Sequence, residues 1–245
     1  IRRKKHVIPL GFKLIDVYLK AGFRLKELVI KRQHNCKTTG FWYEKSIKYN
    51  FLLLAHEYLP IFEKLEMPLK VGEKVSEYEF CSLNLKKIKY GKNLDKLETT
   101  TVWILPQDNF EQKLNENVIE RYSKEKQYSV VTFSSLSGKS ISRLNKNATL
   151  LFIKMLYFDK PEMQDVELYL KNLNNISFIV IQTKDVRINR YIEPLAKRVT
   201  DILIDKNLWL KEVIVVVQEN SQSSQDSKNY LKIVHQYLLV YEVQK

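Results

Sequence analysis

Leu25-Lys26-Glu27-Leu28-Val29-Ile30 and Leu210-Lys211-Glu212-Val213-Ile214-Val215 are one phrase written twice in this chain. Ile8-Pro9-Leu10 precedes the first and Glu193-Pro194-Leu195 the second, with a helical run between. A polar stretch follows each, then Ala55-His56-Glu57-Tyr58-Leu59 in one and Val234-His235-Gln236-Tyr237-Leu238 in the other. A constant shift of 185 carries Arg2 onto Arg187, Pro9 onto Pro194, Asp16 onto Asp201 and Glu27 onto Glu212. At the histidine the shift becomes 179 (His56 to His235), as a shorter loop between two fixed strands requires. The order of elements matches as well as the residues, so an internal repeat frames every further reading.

The elements follow from periodicity. Ile8, Phe12, Ile15 and Leu19 recur at helical spacing and predict a helix over 7–21. Pro9 sits in its first turn, and Gly22 ends it in a left-handed position. Phe23–Ile30 reads as a strand, 31–50 as a long polar and aromatic loop, and 51–62 as a strand buried on both faces. Downstream, strands are expected over 100–105, 128–133, 148–155 and 176–182. Helices are expected over 108–122, with Asp108 as N-cap, and over 161–173. Ser134–Asn147 reads as a loop and Thr183–Tyr191 as a polar turn. The second copy closes with a helix over 194–205 and a strand pair over 209–217 and 231–243. Strands alternating with helices predict an α/β fold: a mostly parallel sheet with an antiparallel terminal strand. The expected organisation is a partial unit over 1–64, a charged connector over 65–99 and a second unit over 100–245.

Composition narrows the function. The 245 residues are 44% hydrophobic with only six Gly and six Pro, enough for a packed core. No apolar run reaches membrane-spanning length, so a soluble protein of the cytoplasm, or of the nucleus in a eukaryote, is expected. Cys36 and Cys81 lack ligand-like spacing, His6, His34, His56 and His235 are scattered, and no metal site is expected. Net charge is +13, of which residues 1–64 hold +9 (14 Lys/Arg against 5 Asp/Glu). Basic charge so concentrated, interleaved with aromatics, suits a polyanion, most simply nucleic acid. The alternative is a solvated lysine-rich face. The chain opens at Ile1 in mid-pattern, which predicts a piece of something longer.

Arg2-Arg3, Ile8-Pro9-Leu10, the helix to Gly22-Phe23, Leu25-Lys26-Glu27 and His56-Glu57-Tyr58-Leu59-Pro60-Ile61-Phe62 resemble the amino-group DNA methyltransferases. Lys31-Arg32-Gln33-His34-Asn35-Cys36 and Gly40-Phe41-Trp42-Tyr43 fit the same segment of that family. The match covers about a quarter of the chain well and another quarter weakly. The resemblance implies a Rossmann-like methyltransferase sheet, a partial first copy and a degenerate second copy. It implies S-adenosylmethionine as cofactor and methyl transfer to the exocyclic nitrogen of an extruded adenine or cytosine in double-stranded DNA. It also implies that the 31–50 segment lies beside the flipped base. His34 and Asn35 are then candidates for edge or phosphate contacts, and Phe41, Trp42 and Tyr43 for stacking. The alternative for the aromatics is to plug the end of the sheet. Phosphate contacts are assigned to Arg2, Arg3, Lys4, Lys5, Lys31, Arg32, Lys37, Lys45 and Lys48.

The departures from the family matter as much. Its catalytic tetrapeptide contains Pro-Pro, and this chain has no such pair; the corresponding place in the second copy holds Met155-Leu156-Tyr157-Phe158-Asp159. Its cofactor turn is glycine-rich, whereas every glycine here is isolated. Gly138-Lys139-Ser140 is no phosphate loop, because Phe133 stands where the first glycine belongs. No catalytic residue is therefore assigned. Two readings remain: a portion of a DNA amino-methyltransferase, or a non-catalytic nucleic-acid-binding subunit supporting an active partner. An RNA methyltransferase fragment shares the same folding logic. A homodimer or a partner methyltransferase subunit is expected. His56 and His235 are expected to be packed or hydrogen-bonded, and Asp185 with Arg187 to form an ion pair bracing their turn or to line a vestigial pocket.

Overall fold

A computed structural model describes residues 2–3, 6–33, 40–64, 97–133, 141–143, 145–155, 175–203, 207–219 and 230–244. The chain begins with a small antiparallel hairpin, β1 (Arg2–Arg3) on β2 (His6–Val7). Helix α1 (Leu10–Lys20) follows, and Gly22 takes φ +87° just beyond it. Strand β3 (Phe23–Arg32) and strand β4 (His56–Lys64) pair antiparallel, with helix α2 (Gly40–Lys48) between them. Gly11 is fixed by close approach, since a Cβ there would lie 2.5 Å from the Tyr58 ring.

The rest builds one α/β sheet: β5 (Val102–Leu105), α3 (Phe110–Tyr122), β6 (Tyr128–Thr132), β7 (Ile141–Arg143), β8 (Leu150–Met155) and β9 (Phe178–Thr183). A hairpin of β10 (Val186–Ile188) and β11 (Tyr191–Glu193) leads into α4 (Leu195–Leu203). Strands β12 (Leu208–Gln218) and β13 (His235–Val243) end the chain. The seven strands lie in the order β5-β12-β13-β9-β8-β6-β7. Neighbours β5/β12, β9/β8 and β8/β6 are parallel, while β13 runs antiparallel between β12 and β9. β7 also runs antiparallel to β6, so the sheet is mixed and mostly parallel as expected, but β13 is inserted within it rather than at its end.

Side chains alternate across it with the period of a strand. Ile153, Ile179, Ile181, Val215 and Leu239 face one core, with Phe12 and Ile15 of α1 and Ala196, Val199 and Leu203 of α4. Phe152, Val180, Ile214, Val216, Leu238 and Val240 face the other, with Leu114, Val118 and Tyr122 of α3. Burial on both faces is what makes β9 and β12 read as near-continuous hydrophobic runs.

The β3–β4 and β12–β13 pairs have corresponding strand registers. Arg32 opposes His56 and Phe23 opposes Lys64; Val217 opposes His235 and Leu208 opposes Val243. Each pair slips register at one place, between Leu25 and Glu27 in the first and between Leu210 and Glu212 in the second. Both helices are followed by a left-handed residue at the matched position, Gly22 and Asn207, the two residue types that tolerate it best. The small hairpins match too: Arg2 faces Val7, and Arg187 faces Ile192.

The two halves exchange contacts reciprocally. β2 of the first packs on β12 of the second, and β11 of the second packs on β3 of the first. Glu212 accepts the Leu52 backbone N–H at 3.0 Å, and Glu27 accepts the Leu231 N–H at 3.4 Å. Leu52 and Leu231 are themselves separated by the shift of the histidine segment. Arg187 binds Glu27 at 2.6 Å and donates to the Lys26, Arg190 and Leu231 carbonyls. Lys197, nearly buried, bridges the matched aspartates Asp16 (3.0 Å) and Asp201 (2.5 Å).

Several expectations need correction. The 31–50 stretch is not all loop, because α2 forms at its end. Its helical face carries aromatics and lysines rather than aliphatics, which hid the period. The strand expected over 51–62 starts only at His56, and it is not buried on both faces: Leu59 and Ile61 are exposed. Helix α3 begins after Asn109 rather than Asp108, without a side-chain cap. The 134–147 loop contains β7, and the 183–191 turn contains the β10–β11 hairpin. Asp185 and Arg187 form no ion pair with one another, since Arg187 reaches across to Glu27. The 161–173 helix lies outside the described residues.

Glu212 is fully buried, so Glu212→Ala leaves the Leu52 amide without its acceptor in a dry site. The expected loss is about 1–3 kcal/mol in a denaturant titration. A loss no larger than that of exposed Glu57→Ala would contradict the clamp.

Candidate nucleic-acid interface

The candidate site is built on α2 and the strand ends that flank it. Phe41, Lys45 and Lys48 lie at positions i, i+4 and i+7 of one helical face; Trp42, Lys45 and Tyr49 follow i, i+3 and i+7. Phe41, Trp42 and Tyr49 are exposed, and Trp42 meets Phe41 edge-on with centroids 5.5 Å apart. The Lys45 ammonium sits 4.0 Å from the Phe41 ring centroid, and that of Lys48 5.5 Å from that of Tyr49. Each cation thus lies over an aromatic face as a cation–π pair.

The opposite side of α2 anchors it. Ser46 is fully buried and donates to the Phe51 carbonyl at 2.6 Å. Asn50, at φ +46°, donates to the Arg121 carbonyl of α3. Arg121 in turn reaches the Glu98 carbonyl. Tyr43 is half-buried on this side, so it separates from the exposed pair Phe41 and Trp42. Burial lowers the Arg121 pKa against the pull of Tyr122, Glu212 and Tyr43.

The structure brings together Phe41, Trp42, Lys45 and Lys48. Lys31 and Arg32 end β3, and Lys31 is 3.8 Å from Glu57, an exposed pair of little energetic weight. Arg2 and Arg3 form β1, and their backbone alone is described. His34, Asn35, Lys37, Lys4 and Lys5 lie outside the described residues. Tyr49 was missed in the sequence; its spacing of seven from Trp42 was the available signal.

The matched histidines are structural. His56 Nε2 and the Tyr58 hydroxyl are 3.3 Å apart, and His235 Nε2 and the Tyr237 hydroxyl 3.0 Å apart. His56 also meets the Thr101 hydroxyl at 2.9 Å. Burial pushes both imidazoles down to about 4, so they stay neutral. Asp185 lies in the same buried cluster and accepts the Ala196 N–H at 3.2 Å. Burial pushes its carboxyl up to about 7, opposed by the Ala196 amide, the Tyr237 hydroxyl and the Leu195 amide.

At the carboxyl ends of β5 and β12, residues including Asp108, Phe110, Glu111 and Gln218 line an open cavity of about 480 Å³. β6 runs into Phe133 and β8 ends at Met155, both buried. Beside them Lys154 binds Glu111 at 2.8 Å, and Gln182 donates to Gln236 at 2.9 Å. The described residues also hold no group of three potential metal ligands, and none of their helices is long and apolar enough to cross a membrane. No protein-family model, curated protein or solved structure matches the chain.

Asp185 carries a pH signature. Its carboxyl binds a proton more tightly folded than unfolded, so its contribution is full below about 4 and is lost as pH rises through about 7. The histidine pair works oppositely, losing its contribution as pH falls from 6.5 toward 4. The stability of the natural chain relative to Asp185→Asn should therefore decline between about pH 4 and 7, then level. Denaturant midpoints at five pH values measure this; a pH-independent difference contradicts it.

Proposed function

We propose that residues 1–64 are the substrate-side portion of an S-adenosylmethionine-dependent DNA amino-methyltransferase, and that residues 100–245 are a degenerate, non-catalytic second copy. In this reading the protein acts on the exocyclic amino group of adenine or cytosine in double-stranded DNA, after extruding the base. The observation that carries the reading is the β3–α2–β4 unit, whose exposed helix face pairs two aromatics with two lysines at a strand-pair tip. Support comes also from the sheet, where an antiparallel β13 is inserted between parallel β9 and β12 after the repeat helix. The chain's own residues bind and orient here: Lys45 and Lys48 neutralise phosphates, while Phe41 and Trp42 offer stacking faces. No chemical step is assigned to this chain.

The second reading is a methyltransferase-like nucleic-acid-binding subunit that supports an active partner. The Lys154–Glu111 pair and the buried Phe133 favour it for the second copy, because they occupy part of the end of the sheet where ligands of open α/β folds lie.

Anisotropy of a labelled duplex, titrated at several salt concentrations, tests the interface. Trp42→Ala should weaken binding by about 1–3 kcal/mol, roughly 5- to 150-fold. Lys45→Ala with Lys48→Ala should lower the slope of log affinity against log salt by about two. Binding unchanged by all three substitutions would remove α2 from the interface.

A further inference from the structure

Strand β12 is buried from Leu208 to Val216 with one exception. Trp209 is 50% exposed, while its neighbours Leu208 and Leu210 are 5% and 9% exposed. The core does not account for an indole left half in water on such a strand. Its ring lines an open cleft of about 290 Å³ between β2, the start of α1 and the start of β12. His6 of β2 meets that ring edge-on, with centroids 4.0 Å apart, and orients it. Pro9 lines the cleft as well, and Tyr241 and Thr200 contribute buried surface to it. The hydroxyls of these two lie 3.4 Å apart, and Thr200 donates to the Ala196 carbonyl at 2.9 Å, so their polar atoms are engaged within the protein.

Charge in the cleft has one sign. No carboxylate lines it, and Lys13 of α1 is the one lysine or arginine that does. The Lys13 ammonium has no ion pair or hydrogen bond among the described residues. Glu242, the acid beside His6, is 3.6 Å from that imidazole and 3.9 Å from the Lys211 ammonium, so it already faces two bases. The volume stands at the lower end of small-molecule pockets, which begin at about 300 Å³. We propose that this cleft binds a small planar aromatic anion, one ring system bearing a carboxylate or a phosphate. The ring lies against Trp209 and Pro9, and the anionic group meets Lys13. An aromatic carboxylic acid and a nucleotide share this chemistry. The cleft lies at the start of β12, whereas the cavity beside Asp108 and Glu111 lies at the other end of that strand, and no residue of α2 lines it.

The chain has three tryptophans, so the indole N–H resonances of Trp42, Trp103 and Trp209 report separately on α2, the core and the cleft. Trp209→Phe assigns the third. The isotope-labelled chain is titrated with benzoate and, separately, with adenosine monophosphate. Benzyl alcohol supplies a ring without charge, and acetate a charge without a ring. The expected result is a saturable shift of the Trp209 resonance with at least one of the two aromatic anions. Affinity for it should fall about fivefold in Lys13→Met, with benzyl alcohol and acetate weaker than either anion. Lys13 is exposed, and an unchanged Trp103 resonance shows that the variant is folded. Saturation by benzoate alone identifies an aromatic acid as the ligand class; tighter binding of adenosine monophosphate identifies a nucleotide. The proposal is overturned if neither anion shifts Trp209 saturably, or if the shift is confined to Trp42. Equal affinity in Lys13→Met, or binding matched by benzyl alcohol or acetate, overturns it too.

Discussion

Two backbone amides at the entrances to β4 and β13 hold the architecture together. Each precedes a strand of a strand pair, and each finds its acceptor on the opposite half. Leu52 donates to Glu212, and Leu231 donates to Glu27. The Leu52 N–H is buried, where a missing acceptor is costly, whereas the Leu231 N–H is exposed and its 3.4 Å contact is the weaker of the two. The register slip beside each glutamate places its side chain at the crossing point. Around this exchange the rest is arranged: the β1–β2 and β10–β11 hairpins swap partners, α1 and α4 meet through Lys197, and the two His–Tyr pairs lie in the same interior.

That arrangement gives α2 its position. The helix hangs from a strand pair fixed at its base by Glu27 and Arg187, and its inner side is tied to α3 through Asn50. Its outer side is then free to present Phe41, Trp42, Lys45 and Lys48 on a rigid support. A recognition surface on a braced helix loses less conformational entropy on binding than the same residues on a loop.

The α/β class was legible in the alternation of strands and helices, and the six-residue matches around Glu27 and Glu212 fall on strands that each slip register at that place. Asn207 in place of Gly22 keeps the helix ending readable as well. What escaped was what depends on partners. Helix α2 lacks an aliphatic stripe, since its inner face is Ser46 and Tyr43 against another part of the chain. Leu59 and Ile61 read as buried because apolar residues on a strand usually are; exposure is a property of what lies beside β4, which no local pattern records. Arg187 was placed with its neighbour Asp185, yet its partner lies 160 residues away.

The proposed division of labour gives nucleic-acid binding to the basic, aromatic surface of α2 and no cofactor to the second half. Calorimetric titration of the purified chain with duplex DNA alone, and with S-adenosylmethionine alone, tests that division most directly. The predicted result is heat with DNA that diminishes as salt is raised, and none with the cofactor. Absence of DNA binding at low salt, or saturable cofactor binding by this chain, would contradict it.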